Sequence, residues 1–177
     1  MKILVIGGSN SKNSINRTFA NYVASFFKTA SKELIDISKM DLPNYSVDAE
    51  KKIGIHSIAL EFAEKIDNTD FIIISLAENN GSFNVGLKNL LDWTSRIKGR
   101  KIFNRKPMLL MATSPGARGG LTVLESAKSL FPRFGADIKA SFSLPEYNKN
   151  FDVEKVITNP ELLEHLEEIV TDLQNAD

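Results

Sequence analysis

Short apolar runs alternate along this chain with segments whose apolar residues recur every three or four positions. The runs are Ile3–Ile6, Phe71–Ile74 and Met108–Ala112, with weaker ones at Glu33–Ile37 and Asp137–Ala140. Apolar residues at successive positions are the mark of strands covered on both faces. Between the runs, helical spacing appears at Phe19, Tyr22, Val23 and Phe26, and at Ile58, Phe62, Ala63 and Ile66. It returns at Leu87, Leu90, Leu91 and Thr94, at Leu121, Leu124 and Ala127, and at Leu162, Leu163, Leu166, Ile169 and Val170. Asn159-Pro160-Glu161 opens the last helix with a capping residue and proline at the first helical position. Repeated strand–helix alternation predicts a single α/β domain over residues 1–177, its parallel sheet flanked by helices on both faces.

Composition narrows the function classes. The 22 Lys and Arg balance 22 Asp and Glu, so no global field attracts nucleic acid or an anionic membrane. The absence of Cys excludes disulfides, thiolate nucleophiles and Cys-held metal centres. The two His residues, His56 and His165, lie far apart in sequence and give a metal site little to build on, so structural or solvated roles are expected. Met1 and Lys2 lead straight into a strand, and no apolar run approaches the roughly 18 residues of a membrane span, so a soluble cytoplasmic protein is expected.

In open parallel sheets, ligands bind beyond the carboxyl ends of the strands. The loop after the first strand, Gly7 to Arg17, offers the hydroxyls of Ser9, Ser11 and Ser14 and the amides of Asn10 and Asn16 at a helix start. Unpaired N–H groups and the helix dipole favour an anion there, and hydroxyls add neutral donors. Neither G-x-x-x-x-G-K-[ST] nor G-x-G-x-x-G is present, which points away from a nucleoside triphosphate or a Rossmann-bound dinucleotide and leaves a terminal monophosphate or a plain capped turn. The loop after the third strand, Ser75 to Asn84, contains the turn dipeptide Asn80-Gly81, and Phe83 within it is a candidate ligand neighbour. The loop after the fourth, Thr113 to Gly120, has Gly at 116, 119 and 120, letting backbone N–H groups converge on a ligand's carbonyls. Arg118 there is a candidate anion partner or a solvated turn residue. Phosphate donors in one loop and backbone for a flat polar ring in two others outline a flavin mononucleotide site.

These motifs resemble the NADPH-dependent FMN reductase family, whose fold is flavodoxin-like. Gly8, Ser9, Ser14 and Asn16 match its first loop pattern, G-S-x-R-x-x-S-x-N, with Ser11 in place of Arg. Glu78, Asn80, Gly81 and Ser82 match P-E-Y-N-G-S, with Ala77 and Asn79 in place of Pro and Tyr. The following L-K-N-x-x-D-W helix is met by Leu87, Lys88, Asn89, Asp92 and Trp93. Ser114, Pro115, Gly116, Gly119 and Gly120 match S-P-G-x-x-G-G, and Asp41-Leu42-Pro43 resembles a further segment. The resemblance covers roughly residues 1–140.

The resemblance implies a three-layer flavodoxin-like sandwich with strand order 2-1-3-4-5. It implies FMN held at the phosphate by Ser9, Ser11, Ser14, Ile15 and Asn16, and at the ring by Ala77, Glu78, Asn79, Asn80, Gly81, Ser82, Ser114, Pro115, Gly116, Gly119 and Gly120. It further implies NADPH or NADH as hydride donor to flavin N5, a small-molecule acceptor such as a quinone, free flavin or azo compound, and a homodimer or homotetramer. The cofactor carries the chemistry, so no catalytic side chain and no metal are expected. Two rival readings are a flavodoxin-like electron carrier, which the zero net charge disfavours, and a dimeric binding module without flavin. The basic stretch Lys98, Arg100, Lys101, Arg105 and Lys106 reads as a solvated loop ahead of a strand, with the NADPH 2′-phosphate or nucleic acid as the competing partner.

Overall fold

The computed structural model describes residues 1–152, 154 and 156–175. Five parallel strands form the sheet: β1 (Lys2–Gly8), β2 (Ser31–Asp36), β3 (Phe71–Leu76), β6 (Pro107–Thr113) and β7 (Asp137–Leu144), in the order β2-β1-β3-β6-β7. That is the expected 2-1-3-4-5 arrangement with a small hairpin, β4 (Glu78–Asn79) and β5 (Ser82–Phe83), inserted after β3. The helices are α1 (Ile15–Ser25), α2 (Val47–Ile53), α3 (Ser57–Asp67), α4 (Val85–Thr94), α5 (Leu121–Leu130), the single turn α6 (Tyr147–Asn150) and α7 (Pro160–Asn175).

The period of two along each strand divides the core into two layers. Ile3, Val5 and Ile73 point to the α1 and α7 side, where they meet Phe19, Val23, Leu166 and Val170. Leu4, Ile6, Ile72 and Ile74 point the other way, against Phe62 and Ile66 of α3, Leu87 and Leu90 of α4, and Val123 and Leu124 of α5. All six residues of β3 are buried, as its unbroken apolar run predicts. Asn159 caps α7 by accepting from the Leu162 N–H at 3.2 Å, with Pro160 as its first residue.

Several elements differ from the sequence expectation. β7 runs on to Leu144, because Ser141 and Ser143 alternate with the buried Phe142 and Leu144 at the sheet's edge. Its register slips between Met108↔Ile138 and Leu109↔Ala140, so Lys139 is an extra residue. Ile138 and Ala140 consequently face opposite layers, as a bulge requires. Phe26 is the C-terminal cap of α1 rather than a helical residue, and Leu121, assigned to a core face, is 40% exposed. Helix α2 buries no residue, so its segment carries no core-facing apolar stripe.

Candidate functional site

The loop after β1 makes an anion cup. Its chain reverses through a Ser9 N–H bond to the Gly7 carbonyl at 2.7 Å, and Ser14 caps α1 by accepting from the Arg17 N–H at 3.1 Å. The Ser9 hydroxyl accepts from the Ser11 N–H at 3.1 Å. Both hydroxyl oxygens are thus used as acceptors, and each keeps its O–H to donate. Ser9 and Ser14 are buried and Ser11 is exposed. Among the described residues, none provides an acceptor for the backbone N–H groups of Lys12, Asn13, Ser14, Ile15 or Asn16. A run of free donors at the start of an 11-residue helix, beside two buried hydroxyls, has the chemistry to hold an anion such as a phosphate.

Arg17 does not face this cup. Its guanidinium donates to Asp36 at 2.5 Å and to the Lys12 carbonyl, bracing the loop from behind. Burial pushes the Asp36 carboxyl up, but hydrogen bonds from Ser38 and the charge of Arg17 outweigh it and hold it below the ordinary value of 3.8. A lowered folded value means stability that is present in full above the ordinary value and lost as the pH falls from there through the lowered one. Asp36→Asn should therefore lower stability by about 1 kcal/mol at pH 7. Thermal melts of both proteins from pH 7 to pH 2 should show this gap closing in acid; a gap that persists there would contradict the ion pair's role.

Asn16 has a different place from that expected of a phosphate ligand. Its side chain lies in the interior, 3% exposed, where Nδ2 donates to the Thr113 carbonyl at 3.1 Å. Its Oδ1 accepts from the Thr113 N–H at 3.1 Å and from the Ser75 hydroxyl at 2.7 Å. This one amide ties α1 to the carboxyl ends of β3 and β6, so only its backbone N–H is open to the cup.

The loop after β3 folds into the β4–β5 hairpin. Asn80 and Gly81 both have positive φ, 51° and 74°, the geometry of a primed turn. Glu78 anchors the hairpin by accepting the Val123 N–H of α5 at 3.0 Å. Phe83 is half-buried, its ring stacked on Phe131 at 5.8 Å and 12°, which packs it against the core. In the loop after β6, the Ser114 and Gly116 carbonyls accept from the Tyr147 and Glu146 N–H groups, each at 3.0 Å. Among the described residues no acceptor meets the N–H groups of Gly116, Ala117 and Arg118, so donors line the open side of this loop. Gly119 is required by space: a Cβ there would lie 2.5 Å from the Ser143 hydroxyl and 2.8 Å from the Pro145 nitrogen. The supporting Pro145–Tyr147 segment carried no sequence signal, since its contribution is backbone N–H groups.

The L-K-N-x-x-D-W helix has a structural explanation. Asn89 donates to the Leu42 and Pro43 carbonyls and accepts from the Tyr45 N–H at 2.8 Å, and the buried Trp93 donates its indole N–H to Pro43 at 2.7 Å. Together they clamp the loop that follows β2 onto α4. The basic stretch precedes β6 and so stands at the amino end of the sheet, away from the three loops. There Arg100 pairs with Asp67 at 2.6 Å, and Lys106 donates to the Asp67 and Thr69 carbonyls. His56 caps α3, and His165 is an exposed residue beside Phe142.

Unpaired N–H groups in two loops and a tight turn in the third, all at the carboxyl end of a 2-1-3-6-7 sheet, define the class as a flavodoxin-like domain. The donor set fits the cofactor, with neutral donors all round for a monophosphate and backbone N–H groups for ring carbonyls. A model of the NADPH-dependent FMN reductase family matches residues 1–152, and the chain belongs to that family. A 2-hydroxy-1,4-benzoquinone reductase from Burkholderia sp is 35% identical over 120 residues, 67% of this chain and 63% of that protein. The chain therefore spans less than two thirds of that relative's length. An uncharacterized protein from Mycoplasma pneumoniae is 30% identical over 166 residues, 92% of this chain and 98% of its own. Among solved structures, the flavoenzyme NAD(P)H:(acceptor) oxidoreductase FerB from Paracoccus denitrificans superposes with a TM-score of 0.76 at 22% identity, covering 98% of this chain and 97% of its own.

Proposed function

We propose that this chain is an NAD(P)H-dependent, FMN-containing oxidoreductase that reduces a small-molecule acceptor such as a quinone, a free flavin or an azo compound. The observation that carries the reading is the run of unpaired N–H groups from Lys12 to Asn16 beside the buried Ser9 and Ser14 hydroxyls. The quinone class is supported by the name of the Burkholderia relative.

In this reading, Ser9, Ser11, Ser14 and the N–H groups of Ile15 and Asn16 hold the phosphate. Ala77 to Ser82 form one wall of the ring site, and Ser114, Pro115, Gly116, Gly119 and Gly120 form the other. When bound, FMN would supply the redox chemistry, hydride transfer through its N5 from NADPH or NADH to the acceptor. The Gly116–Arg118 N–H groups would stabilise negative charge developing on the bound ring, as preorganised dipoles do. No side chain is assigned an acid or base role. A homodimer or homotetramer in the cytoplasm completes the proposal. Exposed Val47, Ile53 and Val85 support association, and among the described residues no helix is long and apolar enough to cross a membrane.

The test is an anaerobic visible spectrum of the FMN-supplemented protein, taken before and after NADPH or NADH and again after 1,4-benzoquinone. The expected result is protein-bound flavin that bleaches with the nicotinamide and regains its colour with the quinone. Flavin that binds but stays oxidised with both nicotinamides would replace the reductase with an electron carrier. Failure to retain flavin would overturn the site.

A further inference from the structure

The phosphate cup and the ring hairpin are joined by a chain of three carboxamides. Asn84 is 6% exposed and stands at its centre. Its Oδ1 accepts from the Gly86 N–H at 3.0 Å, which caps α4, and from the Asn10 N–H at 3.1 Å. Its Nδ2 donates to the Asn10 Oδ1 at 3.1 Å, in the cup loop, and to the Asn79 Oδ1 at 3.0 Å, in the hairpin. All of its amide hydrogens and both acceptor directions are therefore engaged. The two backbone N–H groups fix which end of Asn84 is oxygen, so the direction of the whole chain is determined. Gly86 makes the approach feasible, because a Cβ there would lie 2.7 Å from the Asn10 Cβ. Asn79 is also the position where this chain departs from the aromatic residue of the family pattern.

We propose that Asn84 is a positioning residue that couples the two halves of the cofactor site, so that a phosphate seated in the cup orders the ring hairpin. The inference rests on the FMN reading above. Among the described residues, the other hold on the hairpin's N-terminal strand from a side chain is Glu78, at its base. On the β4 side the tip is held by the Asn79 amide and the turn itself, while the return strand β5 is held by the Phe83–Phe131 stack at the end of α5. Anything that shifts Asn10 on filling the cup is transmitted through two hydrogen bonds to that tip. Riboflavin, which has the ring but no phosphate, would leave this coupling unused.

The experiment compares the wild type with Asn84→Ser and Asn79→Ala. Serine keeps the helix cap but is too short to reach Asn10 and Asn79, so thermal stability should change little. Asn79→Ala cuts the outer arm alone. Two measurements follow: amide hydrogen exchange of residues 78–83 without ligand, and dissociation constants for FMN and riboflavin by flavin fluorescence. Exchange at the hairpin should accelerate in both variants. The FMN constant should rise about tenfold in Asn84→Ser, with a smaller rise for riboflavin, so that the preference for FMN falls. Equal weakening of both ligands would reduce Asn84 to plain structural support and overturn the coupling, as would hairpin exchange unchanged in both variants. If Asn84→Ser fails to fold, Asn79→Ala decides by the same two readouts. A wild type that binds neither ligand would overturn the FMN reading, whereas the exchange data would still judge the amide chain.

Discussion

Asn16→Ala should lower the melting temperature by roughly 6–12 °C, the effect of about 3 kcal/mol in a domain of this size. The alanine would strand the N–H and C=O of Thr113 and the hydroxyl of Ser75, all fully or nearly fully buried and all bonded to the one amide. The cost comes from unsatisfied groups more than from the lost bonds themselves, because buried donors and acceptors forfeit water without replacing it. FMN binding should weaken as well, since α1 is positioned against β3 and β6 by this contact. Ser75→Ala removes one of the three bonds together with its own hydroxyl, so it should cost about 1 kcal/mol. Thermal unfolding followed by circular dichroism measures both. A fall below 2 °C for Asn16→Ala would mean that the amide is not the clasp described here.

Gly7→Ala should be at least as damaging, by a different mechanism. A Cβ at Gly7 would stand 2.5 Å from both the Cα and Cβ of Arg17 and 2.8 Å from its nitrogen. These are backbone or near-backbone atoms of a helix, so no side-chain rotation relieves the overlap. α1 must move off the sheet, at a cost of about 3 kcal/mol, and the free N–H groups of the cup move with it. The expected result is a protein that melts about 10 °C lower, or is found insoluble, and retains no FMN. Gly8→Ala is the milder comparison, as its Cβ would meet the end of the flexible Leu87 side chain at 3.0 Å and the backbone of Ser75 and Leu76 only at 3.1 and 3.3 Å. A Gly7→Ala protein with wild-type stability and full flavin content would contradict the packing of β1 on α1.

Much of this architecture was legible in the sequence because burial on two faces leaves an unambiguous trace. Phe71–Ile74 and Met108–Ala112 could hardly be anything but inner strands, and the loops following them had to share one end of the sheet. Less legible was anything settled by the backbone. The carbonyls of Ser114 and Gly116 find partners in a segment whose side chains give no hint of it. Asn16 fitted a motif for phosphate loops, yet its side chain serves the interior, since a motif records that a residue is required and not what it touches. The position of Phe83 in a loop gives no sign of its stack on Phe131, which the hairpin's twist produces. The Asn10–Asn84–Asn79 chain could not be foreseen from residues 74 and 5 positions apart.

The seat of Trp93 has a practical consequence. It is the single tryptophan of the chain, it is fully enclosed, and it makes one directed bond to the Pro43 carbonyl with Tyr45 set edge-on at 5.3 Å. Its emission is therefore the signature of one joint, where the segment after β2 is fastened to α4. Red-shifted light from this protein reports that joint opening, and it can do so while the sheet behind it is still intact.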